Sequence, residues 1–312
     1  MVLARQTATP CTPLTTEVEL RGPFQLVATI GQLAHGPGDP TITIDSSGVW
    51  RASTSPGGAA TVHLRMRPGR VEAMAWGPGA AAALEGVPDL IRSRPDPSED
   101  VLGAGAPLVR DLQRRFAGLR LPCTGTVLDS LVPAVVEQKV PTAEAHPSYR
   151  ALVRALGEPA PGPAGLILAP TATRLAATPY FVMHRFGIER RRADTMRRAA
   201  AVAGRLERGA ALDPVAARAR LEAVPGVGPW TSAEVVRRSH GDGDSLSVGD
   251  YHHAADVCFA LAGEQDGTDA RMLELLEPYR PHRARVVLLL AAGGVRRPRR
   301  APRARLRRIA AI

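Results

Sequence analysis

Cysteine is scarce in this chain. Its 312 residues contain three, Cys11, Cys123 and Cys258. They are far apart, odd in number and never spaced as Cys-x-x-Cys. That excludes a disulfide framework, a four-cysteine zinc site and a four-cysteine iron–sulfur cluster. A reducing, cytoplasmic setting is the expectation. Long apolar runs are missing as well. Val286–Ala292 is far short of the roughly 20 residues a bilayer-spanning helix needs, so no membrane partner is expected. The first twenty residues lack the basic start and apolar stretch of a secretory signal. Lysine is almost absent: of 40 basic residues, only Lys139 is not arginine.

What is present suits a folded protein. Apolar residues make up 45% and charged residues 22%, enough for a core and too balanced for a disordered chain. The length fits two or three domains. The net charge of +10 is concentrated: residues 296–312 hold eight arginines and no acid, leaving 32 basic and 30 acidic residues elsewhere. Such a tail suits a polyanion, because each neutralised phosphate releases counterions; a solvated end is the other reading.

Residues 14–90 read as strands. Val18–Leu20, Thr41–Asp45, Ala60–Met66 and Val71–Trp76 alternate between apolar and polar, with Gly, Pro, Asp and Ser turns between them. Helices are expected near Pro23–Leu33 and Gly79–Leu84. From about Asp100 the pattern turns helical. Segments are expected near Pro107–Gly118, Val127–Gln138, Pro147–Leu156, Pro170–Ala176, Arg190–Leu206, Pro214–Ala223, Trp230–His240, Tyr251–Leu261, Ala270–Glu277 and Arg283–Ala292. The fold class is α+β: an N-terminal antiparallel sheet domain with helices (1–100), a helical domain (101–295) and the arginine-rich tail (296–312).

The stretch most informative for function is 221–233, Leu-Glu-Ala-Val-Pro-Gly-Val-Gly-Pro-Trp-Thr-Ser-Ala. It ends one helix, turns tightly and starts another. Gly226 and Gly228 permit positive φ and close backbone approach, and Pro225 fixes the entry. The unpaired amides of the second helix, with its dipole, make an anion site suited to a DNA phosphate. An ordinary interhelical turn is the plainer reading. Leu221, Val224, Val227 and Ala233 would lock the two helices together.

Asp250 follows Gly228 by 22 residues. That distance allows one helix, one loop and a return to the same cleft. An aspartate before an apolar helix is a favoured N-cap, and capping and chemistry are compatible here. Asp242 and Asp244 read as solvated turn residues. His252 and His253 are adjacent and point about 100° apart on a helix, so they do not chelate together. Arg190–Arg192 with Arg197 and Arg198 read as a wet helix face, with phosphate contact as the alternative reading.

The hairpin with its downstream aspartate resembles the helix-hairpin-helix DNA glycosylase superfamily. Pro229-Trp230-Thr231, Val248-Gly249-Asp250-Tyr251 and the domain order narrow the resemblance to the DNA-3-methyladenine glycosylase II family. The resemblance covers most of residues 14–295 and implies a helical core in two lobes. It also implies a monomer that flips a damaged base out of double-stranded DNA and hydrolyses its N-glycosidic bond. Asp250 would be the catalytic acid, and Trp230, Tyr251, Tyr180 and Phe181 the base pocket. Gly226, Val227, Gly228, Trp230, Thr231, Gln138 and Lys139 would touch DNA. Lyase relatives carry a lysine where this chain has Trp230, so a monofunctional enzyme leaving an abasic site is expected. No cofactor is required. A structural sodium or potassium ion would sit on the backbone carbonyls of Glu222, Val224 and Val227.

Two positions depart from the family pattern. Lys139 stands where an apolar wedge is expected, and a second pocket aromatic is missing near Leu290–Ala291. The competing readings are a non-enzymatic helix-hairpin-helix DNA-binding protein and a glycosylase for deaminated or oxidised bases.

Overall fold

The computed structural model describes residues 12–94 and 96–298, together with Ile309. Most of the arginine-rich tail and Cys11 lie outside the described residues. Of that tail, Arg296 bonds Asp256 at 2.9 Å, and Arg297 bonds it through its amide at 3.0 Å.

The N-terminal region is a five-stranded antiparallel sheet of order β1-β5-β4-β3-β2. Its strands are β1 (Leu14–Glu19), β2 (Ile42–Asp45), β3 (Gly48–Ser55), β4 (Gly58–Arg67) and β5 (Arg70–Trp76). Strand β4 is central, and Ala60–Leu64 are buried on both of its faces. Helices α1 (Leu26–Ile30), α2 (Ala80–Glu85) and α3 (Val87–Leu90) contribute Leu26, Ile30, Leu84 and Leu90 to the sheet core. On the other face, Leu166 and Leu168 pack on Ala52 and Trp50. Strand β3 lies outside the expected set. Its Arg, Ser and Thr content hides the alternation, and pairing with β2 and β4 supplies what its composition does not.

The rest is helical: α4 (Pro107–Arg115), α5 (Leu128–Val136), α6 (Thr142–Leu156), α7 (Ala172–Ala177), α8 (Tyr180–His184), α9 (Arg190–Ala201), α10 (Ala203–Glu207), α11 (Pro214–Glu222), α12 (Pro229–Ser239), α13 (His253–Ala262), α14 (Asp269–Leu276) and α15 (Arg283–Ala292). These build two cores. The first is continuous in sequence, from Val127 to Val236, and includes Leu131, Leu152, Met196, Leu221 and Val224. The second joins two distant segments: Leu102, Val109 and Leu112 pack with Leu246, Val257, Met272, Leu276 and Leu289.

Three helix boundaries differ from the sequence expectation. Helix α6 begins at Thr142 and runs through Pro147, which lies inside it rather than at its start. Helix α8 was not expected as a separate element. The single helix expected over Arg190–Leu206 breaks at Val202, whose φ of −115° and ψ of 18° leave the helical range. The break redirects α10, so that Glu207 accepts the amides of Val127 and Leu128 at 2.9 and 2.7 Å. It thereby satisfies donors at the start of α5, where Val127 is buried.

Candidate active site

Helices α11 and α12 meet in a tight hairpin. Leu221, Val224 and Val227 are buried, and the amides of Val224 and Val227 bond the carbonyls of Leu221 and Val224 at 3.0 and 2.9 Å. Gly226 has φ +99°, and a Cβ there would strike the Thr195 hydroxyl on α9. Glycine is therefore required by conformation and by packing. Gly228 differs from the expectation. Its φ is −112° and ψ −177°, extended backbone open to any residue, and a Cβ there would meet nothing within 4 Å. It leaves bare backbone facing open space. Helix α12 then starts with Pro229 and no side-chain cap, so no side-chain oxygen occupies the amides of its first turn.

The turn after α5 is bound to this hairpin. Gln138 donates through Nε2 to the Gly226 carbonyl at 3.0 Å and to the Thr231 hydroxyl at 2.8 Å. Lys139 follows at φ +55°, a left-handed conformation uncommon for a side-chain-bearing residue, and it is exposed. A buried arginine and a half-buried glutamate fix this turn. Arg192 of α9 donates to the Val136 carbonyl at 2.6 Å. Glu137 lies 3.1 Å from His35 Nδ1 in the sheet domain. Burial alone would raise the Glu137 carboxyl; the His35 bond and the nearby Arg238 charge hold it below the usual carboxylate value.

Asp250 lies beside the hairpin's second helix. Its Oδ2 accepts the Trp230 indole N–H at 3.1 Å. Its Oδ1 accepts the amides of His252 and His253 at 2.8 and 3.1 Å, and His253 Nδ1 is 3.9 Å away. Asp250 thus serves the start of α13 while reaching back to α12. Its side chain keeps 21% of its surface exposed. Burial raises its pKa, but His253, the two amides and the indole outweigh burial, and the carboxyl is held below its ordinary value. At neutral pH it is a charged acceptor.

The backbone of Asp250 is also held from α12. Its amide donates to the Ser247 carbonyl at 3.1 Å, and the Ser247 hydroxyl donates to Glu234, which lies one helical turn after Trp230. Glu234 is buried and ion-paired with Arg237 and Arg238 at 2.7 and 3.0 Å. Burial opposes its charge, but the two guanidinium groups and Ser247 hold its carboxyl far below the usual range. The Gly249 amide donates to Asp269 of α14 at 3.0 Å. Sequence reading missed the roles of Glu234, Ser247 and Glu137, and it placed Arg192 on a wet helix face, whereas the structure buries it. The one available signal was a charged residue, Glu234, inside the apolar run Ala233–Val236.

Several expected features are arranged differently. Asp244 is not a solvated turn residue. It pairs with Arg280 and Arg283 at 3.1 and 2.7 Å and is 19% exposed, stapling the loop to α15. Asp242 accepts the Ser245 hydroxyl. Tyr180 bonds His184 at 3.0 Å and packs on the first helical core. Phe181 is 64% exposed. Among the described residues, no hydrogen bond or ring contact joins Tyr180 or Phe181 to Trp230 or Asp250. Tyr251 is adjacent to the acid but 91% exposed, edge-on to His252. Leu290, near the position expected for a pocket aromatic, is buried in the second core.

No protein-family model and no curated protein matches this sequence. Solved structures do match its fold. The chain is similar to a 3-methyladenine DNA glycosylase from Archaeoglobus fulgidus, at 18% identity and TM-score 0.75, covering 88% of this chain and 97% of that one. It is similar to a Clostridium acetobutylicum 8-oxoguanine glycosylase/lyase at 12% identity and TM-score 0.68, covering 89% and 95%. A Schizosaccharomyces pombe 3-methyladenine DNA glycosylase in complex with abasic DNA matches at 17% identity and TM-score 0.51, over 64% of this chain and 97% of that one. The chain shares its fold with these DNA glycosylases, in agreement with the α+β class expected from sequence.

Proposed function

We propose that this chain, with the fold of the helix-hairpin-helix DNA glycosylases, is itself a monofunctional DNA glycosylase acting on alkylated purines of the 3-methyladenine type. One contact carries the reading: the ionised Asp250 carboxylate is bonded to Trp230 on the helix that the hairpin begins. A phosphate-suited turn and a lone acid therefore meet at the start of α12, the turn leading into that helix and the acid bonded to its Trp230, as excision of a flipped nucleotide requires.

The hairpin amides of Gly226 and Gly228 and those at the start of α12, Trp230 and Thr231, would hold the DNA backbone; the Val227 amide is already bonded to the Val224 carbonyl, so Val227 would shape the turn rather than grip the phosphate. Gln138 and Lys139 stand at the tip locked to that hairpin. The Lys139 stem would fill part of the gap left by the flipped base. Asp250 faces the sugar. As the bond from C1′ to the base nitrogen breaks, its electrons leave with the base and positive charge grows on the sugar. The carboxylate stabilises that charge and orients the water that adds at C1′, leaving an abasic site. At about 4 Å and an effective dielectric of about 20 this is worth roughly 4 kcal/mol, about a thousandfold in rate. A base that already carries positive charge leaves without a dedicated acid, and the Trp230 ring offers an aromatic surface to such a base. Tyr251, exposed beside the acid, is a further aromatic available to DNA. Tyr180 and Phe181 are not tied to this cleft by any contact described above and stay outside the pocket of this proposal. With no amine at position 230, no Schiff base forms there and no lyase step is expected.

The carbonyls of Glu222, Val224 and Val227 belong to the end of α11 and the turn, where helix carbonyls lack intrahelical partners; that of Val224 already accepts the Val227 amide and would offer its second lone pair. Such oxygens suit a hard monovalent cation, which would add positive charge beside the DNA backbone. No helix among the described residues is long and apolar enough to cross a membrane, and double-stranded DNA is the partner proposed.

The test is a panel of single-lesion duplexes carrying 3-methyladenine, 7-methylguanine, hypoxanthine or 8-oxoguanine, assayed with wild type and Asp250→Asn. Excision of the alkylated purines, lost in the variant while duplex binding persists, is the expected result. Binding without excision of any lesion would make the chain a DNA-binding module. Excision confined to hypoxanthine or 8-oxoguanine would move it to the deaminated or oxidised class.

A further inference from the structure

Helix α9 carries five arginines, and they fall into two sets. Arg190 and Arg197 each lie 3.7 Å from Asp194. Arg192 is buried, 3.7 Å from Glu189 and bonded to the carbonyls of Val136 and Gly187. Arg191 and Arg198 are exposed, and neither meets an acidic side chain among the described residues. Seven residues apart, they share one helix face, with Thr195 between them. Thr195 is the residue a Cβ on Gly226 would strike, so this face is turned to the hairpin. Arg198 reaches the Pro225 carbonyl within that turn at 3.5 Å. Lys139, also exposed and without an acidic partner among the described residues, joins the same turn through Gln138. The uncompensated cations of this region converge on the hairpin, whereas their neighbours on α9 are neutralised.

We propose that Arg191 and Arg198 form a phosphate clamp that extends the hairpin's grip along the DNA backbone. Seven residues of helix span about 10 Å, and one strand presents a phosphate about every 3.4 Å of duplex axis. The two guanidinium groups are therefore spaced for separate phosphates, contacts that carry charge and no sequence preference. This inference rests on the reading of the chain as a DNA-binding protein but not on its excising a base.

The experiment is a salt titration of duplex affinity with the full chain, using an undamaged fluorescent duplex. Each lost phosphate contact should reduce the slope of log K against log salt by about 0.9, so R191Q/R198Q should lose about 1.8 of slope. R191K/R198K should restore most of it. R190Q/R197Q, which removes the two arginines paired with Asp194, should leave the slope nearly unchanged. An R191Q/R198Q slope equal to that of wild type, or an equal loss in R190Q/R197Q, overturns the clamp. The lesion panel separates this from the catalytic reading. Excision with an unchanged slope sinks the clamp alone. A lowered slope without excision in wild type sinks the glycosylase alone. A wild-type chain that binds no duplex sinks both.

Discussion

The two helical lobes bring unlike parts to the cleft. The first lobe, Val127–Val236, carries the surface proposed to grip DNA, bound together by its own residues: Gln138 on Gly226, Thr195 against Gly226, Arg192 on Val136. The second supplies the acid, on a loop anchored at separate points. Asp244 staples one end to α15, and Asp269 holds the Gly249 amide. Asp250 itself is aligned across the lobes, by Trp230 on its carboxylate and by Ser247 and Glu234 on its backbone. The hairpin is thus preorganised within one lobe, while the position of the acid depends on bonds from α12. DNA grip and chemistry should therefore fail separately when mutated.

The largest separation is expected at Asp250. Asp250→Asn should slow single-turnover excision about a thousandfold, the roughly 4 kcal/mol of charge stabilisation argued above, with duplex affinity retained. Equal loss of binding and rate would mean the lobes do not divide the work. Trp230→Phe removes the cross-lobe bond to a charged acceptor, worth about 1.5–3 kcal/mol, and should slow excision about tenfold or more. Because that indole helps hold the Asp250 carboxyl low, its loss should also move the acid limb of the pH–rate profile upward. An unmoved limb would show that the bond does not tune the acid.

Gly226→Ala places a Cβ at φ +99° against Thr195, and should cost about 1–3 kcal/mol in urea unfolding and weaken duplex binding before it touches chemistry. Asp244→Asn is the mildest. It loosens the staple to Arg280 and Arg283, should lower stability by about 1 kcal/mol, and should leave the excision rate of folded protein within about twofold, which one urea melt and one single-turnover assay would check.

Acid tests the whole cleft. Asp250, Glu137 and Glu234 all have carboxyls held below their ordinary values. A depressed folded-state pKa contributes stability that is complete above the unfolded value and is lost progressively as pH falls from there through the folded one. Wild type should therefore keep Asp250 ionised but lose stability steadily as pH falls through the ordinary carboxylate range, and unfold below it. Unfolding near pH 5, read by circular dichroism, would contradict the buried pairing.

Legibility followed distance along the chain. The hairpin could be read because Pro225, Gly226, Val227 and Gly228 act within one turn. Asp250 could be read because its spacing from that turn is short. The contacts that hold the site could not. His35 and Glu137 are 102 residues apart, Arg192 and Val136 are 56, and no local pattern links them. Strand β3 was hidden for a related reason: its neighbours in the sheet, not its own composition, make it a strand. The kink at Val202 left no Gly or Pro at that residue, and its use becomes visible only once Glu207 is seen at the start of α5.

The sequence by itself determined the α+β class, the tight turn between two helices and the place of the aspartate before the next helix, because periodicity, turn residues and helix starts are local physics. Only the tertiary structure decided which charges are spent and which are spare. Glu234, Asp244 and Arg192 are consumed by partners brought together in folding, while Arg191, Arg198 and Lys139 meet no acidic partner among the described residues. A charge acquires its role from what it faces, and that is fixed when distant segments pack.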